Sequence, residues 1–183
     1  MPSLAPRLKN ATGAGDAFTA AIVWAWVHGM GLEESCLAGS AAAAIAAVQG
    51  GAQVVVVEKC GITGGSTNVS EGALNAVDPE RQQKQGIEDS IEQFYQTTYE
   101  GGHEQGTPEL IHYLTDNALD SVHWLESLGV EFKEEVGSAT GSLGERSHYP
   151  ATPSGNTYIR SFEAFVEEHP DQITVLHETQ AAQ

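Results

Sequence analysis

Basic residues are scarce in this chain. Lys and Arg number 8 against 25 Asp and Glu, a formal net charge of -17 over 183 residues. That balance excludes nucleic acid and anionic membrane surfaces as partners, since both select clustered cations. Cysteine is nearly absent too. Cys36 and Cys60 form no CxxC and no metal-ligand pattern. A bond between them is open on paper, and a reduced, cytoplasmic state is the default expectation. The seven histidines show no pairing at metal-ligand spacing, so no metal site is expected. Long apolar runs are missing: Ala17–Val27 is too short to span a membrane, and Asp16 and His28 flank it. The opening MPSLAPRLKN has no apolar core of the kind a secretory signal needs. What is present is globular in composition, 40% hydrophobic and 18% charged, and long enough for a sizeable core.

The chain is organised around Gly39–Glu58, GSAAAAIAAVQGGAQVVVVE. Ala41–Ala47 is rich in the best helix former. Gly50 and Gly51 supply a C-cap and turn. Val54–Val57 is β-branched and apolar on both faces, as in a parallel strand covered by helices on both sides. Glu58 sits just past the strand's C-terminal end, where open α/β sheets bind ligands and where an acid in a dinucleotide fold meets a ribose hydroxyl. The alternative is any α/β core unit ending in a solvated Glu.

Upstream, Asn10-Ala-Thr-Gly-Ala-Gly-Asp16 is a turn leading into a helix through Phe18, Ile22, Trp26 and Val27. Two glycines, Gly29 and Gly31, stop it. Leu32 then opens a second helix that runs into the Ala-rich segment. Free amides and a helix dipole converge on a Gly-Ala-Gly start, which is the physics of anion binding. An Asp there could take a proton from an attacking hydroxyl. This stretch resembles the C-terminal signature of the ribokinase-like (PfkB) carbohydrate and nucleoside kinases, D-T-x-G-A-G-D-x-F. Gly13, Ala14, Gly15, Asp16 and Phe18 match; Asn10 and Ala11 depart, in a form similar to the pseudouridine kinase branch. The resemblance implies an anion hole at Gly13, Ala14 and Gly15, with Asp16 as catalytic base and ATP as a cofactor. It covers about a quarter of the chain. The large sheet that holds the sugar in that family has no counterpart here.

Downstream, Gly61, Gly64 and Gly65 make a loop able to pass close to a diphosphate or ribityl chain. Ser66 and Thr67 offer hydroxyls and amides, and Gly72 admits a close approach. Read alone, this is a Gly-rich surface connection. The longer run EKCGITGGSTNVSEGALNAVDPERQQKQGIEDSIEQFY, then TPELIHYLTDNALDSVHWLESLGVEF, resembles the N-terminal third of the FAD-dependent fumarate reductase/flavocytochrome c flavoproteins. That family includes urocanate reductases and 3-ketosteroid dehydrogenases. The resemblance implies FAD contacts at Gly39, Glu58, Lys59, Ser66, Thr67, Glu71, Gly72 and Ala181. It implies hydride transfer between the flavin and an activated C=C bond. Arg146-Ser-His148-Tyr-Pro150 matches the family's R-x-H-R-P with Tyr149 in place of an Arg; the residues alone read as a polar loop.

Local patterns fill in the elements. Asp89-Ser90 caps a helix with Ile91, Phe94 and Tyr95 on its buried face. Thr107-Pro108-Glu109 starts another, with Leu110, Leu114, Ala118, Val122 and Leu125 at helical spacing and Gly129 at its end. Val130–Phe132 is a short strand. Residues 155–168 form an amphipathic helix with Ile159, Phe162, Phe165 and Val166 on one side, and Ile173–Leu176 is a final strand.

One feature of the flavoprotein pattern is missing. A strand and G-x-G-x-x-G should open the Ala-rich helix and bring its N-terminus to the pyrophosphate. Here Ser35-Cys-Leu-Ala-Gly-Ser40 stands in that place, with Gly39 as its one glycine. The chain also stops before the family's substrate clamps and proton-donating Arg. The expected fold is α/β, a partial Rossmann-like parallel sheet with an N-terminal helical pair. The expected domains are 1–52, kinase-like, and 39–183, an incomplete FAD-binding domain. The expected function is an FAD-binding oxidoreductase fragment with impaired FAD binding and an incomplete active site. The alternatives are a kinase remnant using Asp16 or a non-catalytic hybrid scaffold. Expected partners are a small-molecule cofactor and a second copy or other chain that completes the sheet.

Overall fold

A computed structural model describes residues 42–139, 143–152 and 155–180. The kinase-like turn with Gly13, Ala14, Gly15 and Asp16, together with Gly39 and Ala181, lies outside the described residues. The chain divides into two compact units, one of Met1–Val69 and Ile159–Gln183, the other of Ser70–Tyr158.

In the first unit, residues 42–49 are helical (α1) and bury Ala42, Ala44, Ile45 and Val48. The helix ends as its glycines direct. Gly51 takes a left-handed φ of 85°, and the amides of Gly51 and Ala52 return to the carbonyls of Val48 and Ala47 at 2.8 and 2.9 Å. Strand β1 (Val54–Val57) pairs in parallel with Ile173–Leu176, the last strand of the chain, in the register Val54↔Ile173 to Val57↔Leu176. Side chains alternate across this two-stranded sheet. Ile173 is buried and Val54 and Val56 half-buried on one face, whereas Val55 and Val57 on the other are 62% and 45% exposed. Among the described residues, the expectation of a strand covered on both faces is therefore corrected. An unbroken valine run looks the same whether one face or two is covered. The loop after β1 closes in a 3-10 turn at Gly65–Val69.

In the second unit, Leu74–Asn75 (β2) pairs antiparallel with Ser147–His148 (β3). Three helices follow β2. The first, α2 (Pro79–Gln85), is capped by Asp78 and has Pro79 in its first turn; Gly86 stops it at φ 71°. Ser90 caps α3 (Ile91–Gly101), accepting from the Gln93 amide. Helix α4 (Pro108–Ser127) starts at Thr107 without a side-chain cap bond. Helices α3 and α4 pack together, burying Phe94, Ala118, Val122 and Leu125. Ile91 and Leu110, expected on the buried faces, are 44% and 55% exposed. Each lies in the first turn of its helix. Val130–Phe132 makes one bridge, Phe132 to Pro150, instead of a strand.

Helix α4 is followed by β3, then α5 (Asn156–Glu168) and β4 (Ile173–Leu176). Ile159 and Phe162 of α5 are buried, Phe165 and Val166 half-buried, as their spacing requires. His169 finishes α5. Its ring stacks on Phe165 at 4.0 Å, and its Nδ1 donates to the Phe165 carbonyl at 2.8 Å.

Candidate functional site

The C-terminal ends of β1 and β4 are tied together by main chain. The Glu58 amide donates to the Leu176 carbonyl at 2.9 Å, the Thr179 amide to the Glu58 carbonyl at 2.9 Å, and the Glu178 amide to the Cys60 carbonyl at 3.1 Å. Glu178 adopts a left-handed φ of 51° to make this return. Within that knot Glu58 is 6% exposed, so the solvated-acid alternative does not hold. Its Oε1 accepts from the Cys60 amide at 2.7 Å. Among the described residues, that amide is the one donor to this carboxylate. The arrangement orients a buried acceptor at the end of a parallel strand, where a ligand hydroxyl can meet it.

The glycine loop follows at once. Gly64 sits at φ 97° with no room for a side chain: a Cβ there would lie 2.8 Å from Ile159 Cγ1 and closer still to Asn68 Nδ2. Asn68 Nδ2 donates to the Thr63 carbonyl at 2.8 Å, and the Thr63 hydroxyl donates to Glu163 of α5. Lys59 is exposed and Thr67 half-buried, while Ser66 lies within the 3-10 turn. Of the expected contact residues, the structure thus brings Glu58, Lys59, Ser66 and Thr67 into one stretch of the first unit. Glu71 and Gly72 belong to the second unit. Gly72 has a φ of 77°, and its carbonyl accepts from the hydroxyl of Tyr158. Burial pushes that phenol far above its ordinary range. Glu71 is exposed. Tyr149, which stands where the flavoprotein pattern has an Arg, has its phenol raised by burial and then by the charge of Glu71. Lys133 Nζ lies 5.7 Å from the centre of its ring.

The second unit also holds a buried polar network that sequence reading leaves undetected. Arg146 donates from Nε and Nη2 to both oxygens of Asp89, each at 2.8 Å, and from Nη1 to the Thr97 hydroxyl at 3.1 Å. Its guanidinium carbon lies 4.7 Å from the centre of the Phe94 ring. Gln82 donates to Asp89 at 2.9 Å and accepts from the Asp78 amide at 2.9 Å. His148 Nε2 lies 3.2 Å from Asp78 Oδ2. The polar-loop reading of Arg146 and His148 is therefore corrected. Both are buried, His148 in β3, and their partners are internal. The Asp78-Pro79-Glu80 cap pattern was the one local sign of α2.

The profile of the family described as "FAD binding domain" matches residues 35–182. The chain belongs to that family. The FAD binding domain match overlaps a second, to "pfkB family carbohydrate kinase" over residues 2–60. The two share residues 35–60, which contain α1, β1 and Glu58. Among curated relatives, the "Probable fumarate reductase Ifc3" of Shewanella frigidimarina (strain NCIMB 400) is 36% identical over 115 residues, 62% of this chain and 19% of that one. The NADH:fumarate oxidoreductase of Klebsiella pneumoniae (strain 342) is 37% identical over 109 residues, 60% of this chain and 12% of its own. Among solved structures, the open conformation of a flavocytochrome c3 fumarate reductase superposes with a TM-score of 0.66 at 29% identity, covering 75% of this chain and 25% of the other. The chain thus spans a fifth or less of the length of these two curated relatives. Among the described residues, no three His, Cys, Asp or Glu are grouped to hold a metal ion, and no helix is long and apolar enough to cross a membrane.

Proposed function

We propose that this FAD binding domain is an FAD-binding module of the fumarate reductase/flavocytochrome c type. We place its working segment at residues 39–183, joined through the shared helix and strand to a kinase-derived segment at 1–52. The observation that carries the reading is the buried Glu58 carboxylate at the end of the parallel pair, held by one amide. It fits a ribose hydroxyl. The tight turn at Gly64 fits a loop that runs beside an extended cofactor. Glu58, Lys59, Ser66, Thr67 and Gly72 would hold the cofactor, with Gly39, Glu71 and Ala181 as further contacts. FAD, when bound, supplies hydride transfer to or from an activated double bond. The chain's own residues bind and orient it.

The grip is weakened, because Ser35–Ser40 has a single glycine where the helix must approach the pyrophosphate. In the sequence, Leu37 and Ser40 stand where that pattern calls for glycine or a small residue. The β1–β4 sheet has only two strands among the described residues, which supports a second copy or another chain that completes it, and the scarcity of cysteine supports a reducing compartment. Titration of the purified full chain with FAD, followed by flavin fluorescence, tests the reading. Saturable binding is expected, and Glu58→Gln is expected to weaken it about tenfold, the effect of one charge-assisted bond. Absence of binding overturns the proposal, and tight binding overturns the weakened grip.

A second reading has its own observation, the kinase match over residues 2–60, which contains Gly13, Ala14, Gly15 and Asp16. ATP-dependent phosphorylation of ribose or a nucleoside, abolished by Asp16→Asn, would establish it. Cooperative folding with no affinity for FAD, ATP or ADP would leave a hybrid scaffold.

A further inference from the structure

The glycine loop is held from two directions. Ile159 and Glu163 are four residues apart on α5, so they lie on one face a single turn apart. Ile159 is buried and leaves no space beside Gly64. Glu163 accepts from the hydroxyl of the neighbouring Thr63. From within the loop, Asn68 reaches back five residues to the Thr63 carbonyl, and its side chain crowds the same Cβ position of Gly64. Two consecutive loop residues are thereby fixed between a helix face and an amide. Free loops of this composition sample many backbone states, because glycine restricts φ least. Here that freedom is removed before any ligand arrives, and a loop ordered in advance costs less to order on binding.

We propose that Ile159, Glu163 and Asn68 are positioning residues that clamp residues 61–65 in one shape, and that the clamp sets the affinity of the loop for FAD. The inference rests on the FAD reading above. It adds a mechanism by which α5, which contributes none of the expected cofactor contacts, controls binding. Glu163 itself is exposed, so it can be altered without disturbing the core.

The test uses the full chain and three variants: Glu163→Ala, which removes the acceptor; Glu163→Gln, which keeps an oxygen for Thr63; and Asn68→Ala. Amide hydrogen exchange of the peptide spanning residues 59–69 is measured without FAD, and FAD affinity is measured by titration. Glu163→Ala and Asn68→Ala are expected to speed exchange in residues 61–65 and to weaken FAD binding about fivefold, the effect of one hydrogen bond. Glu163→Gln is expected to behave as wild type in both. Unchanged exchange in Glu163→Ala and Asn68→Ala overturns the clamp. A loosened loop with unchanged FAD affinity overturns its role in binding and leaves the FAD reading standing. A wild-type chain that binds no FAD overturns that reading and this inference together, whatever the exchange shows.

Discussion

The Asp78 carboxylate accepts from the amides of Glu80 and Arg81 and from the Arg81 guanidinium, and it faces His148 Nε2. Burial raises its pKa, but the hydrogen bonds from Arg81 and His148 and the charge of Arg81 outweigh burial and lower it from 3.8 to about 2. The unfolded chain therefore binds more protons than the folded chain between these values. Stability from this group is full above about pH 4 and is lost as pH falls towards 2. The amount is about 2 kcal/mol. Urea unfolding at pH 5 and pH 2.5 should show this loss, and Asp78→Asn should flatten the difference while lowering stability at pH 5. An equal slope in the variant would sink the assignment. At this scale the sequence was readable where the partner is near and silent where it is far. Ser90 and Gly51 act through neighbours within four residues. Arg146 pairs with Asp89 57 residues away, and no local pattern distinguishes that from a solvated loop.

Elements were legible in proportion to their length. Helices α3, α4 and α5 and the strands β1 and β4 all carry an apolar period or a β-branched run long enough to see. The two-residue strands β2 and β3 are too short for any period, and α2 is too polar to show one. Parallel pairing of β1 with β4 joins residues far apart in the chain, so it depends on the crossover between them. Turns offer the sharper test. Gly86 and Gly64 both hold left-handed backbone, but a Cβ at Gly86 meets nothing within 4 Å, whereas one at Gly64 meets Ile159 and Asn68. Gly86→Ala should cost about 1 kcal/mol, the conformational strain alone. Gly64→Ala should cost at least about 1–3 kcal/mol more, because the strain is joined by overpacking. Chemical denaturation of the two variants measures the difference. Equal losses would mean that the loop yields freely.

The molecule as a whole matches two family models, and the motifs alone disclosed both resemblances. GAGD on one side and EKCGITGGST on the other each fit a family, and the two matches meet on the shared helix and strand. The division into two compact units was not visible, since it falls at residues 69 and 158, inside the segment that resembles a single family. It follows from packing, which a linear pattern does not record. Tyr158 stands at that boundary, with its hydroxyl closed on the Gly72 carbonyl. In alkali, a phenol so enclosed keeps its proton while the same group in an unfolded chain surrenders it. Folded chains are thus progressively disfavoured above about pH 10. Tyr158 should contribute a delayed step to the alkaline rise in ultraviolet absorbance. That last step should coincide with loss of circular dichroism, giving the protein an internal optical marker of its own collapse.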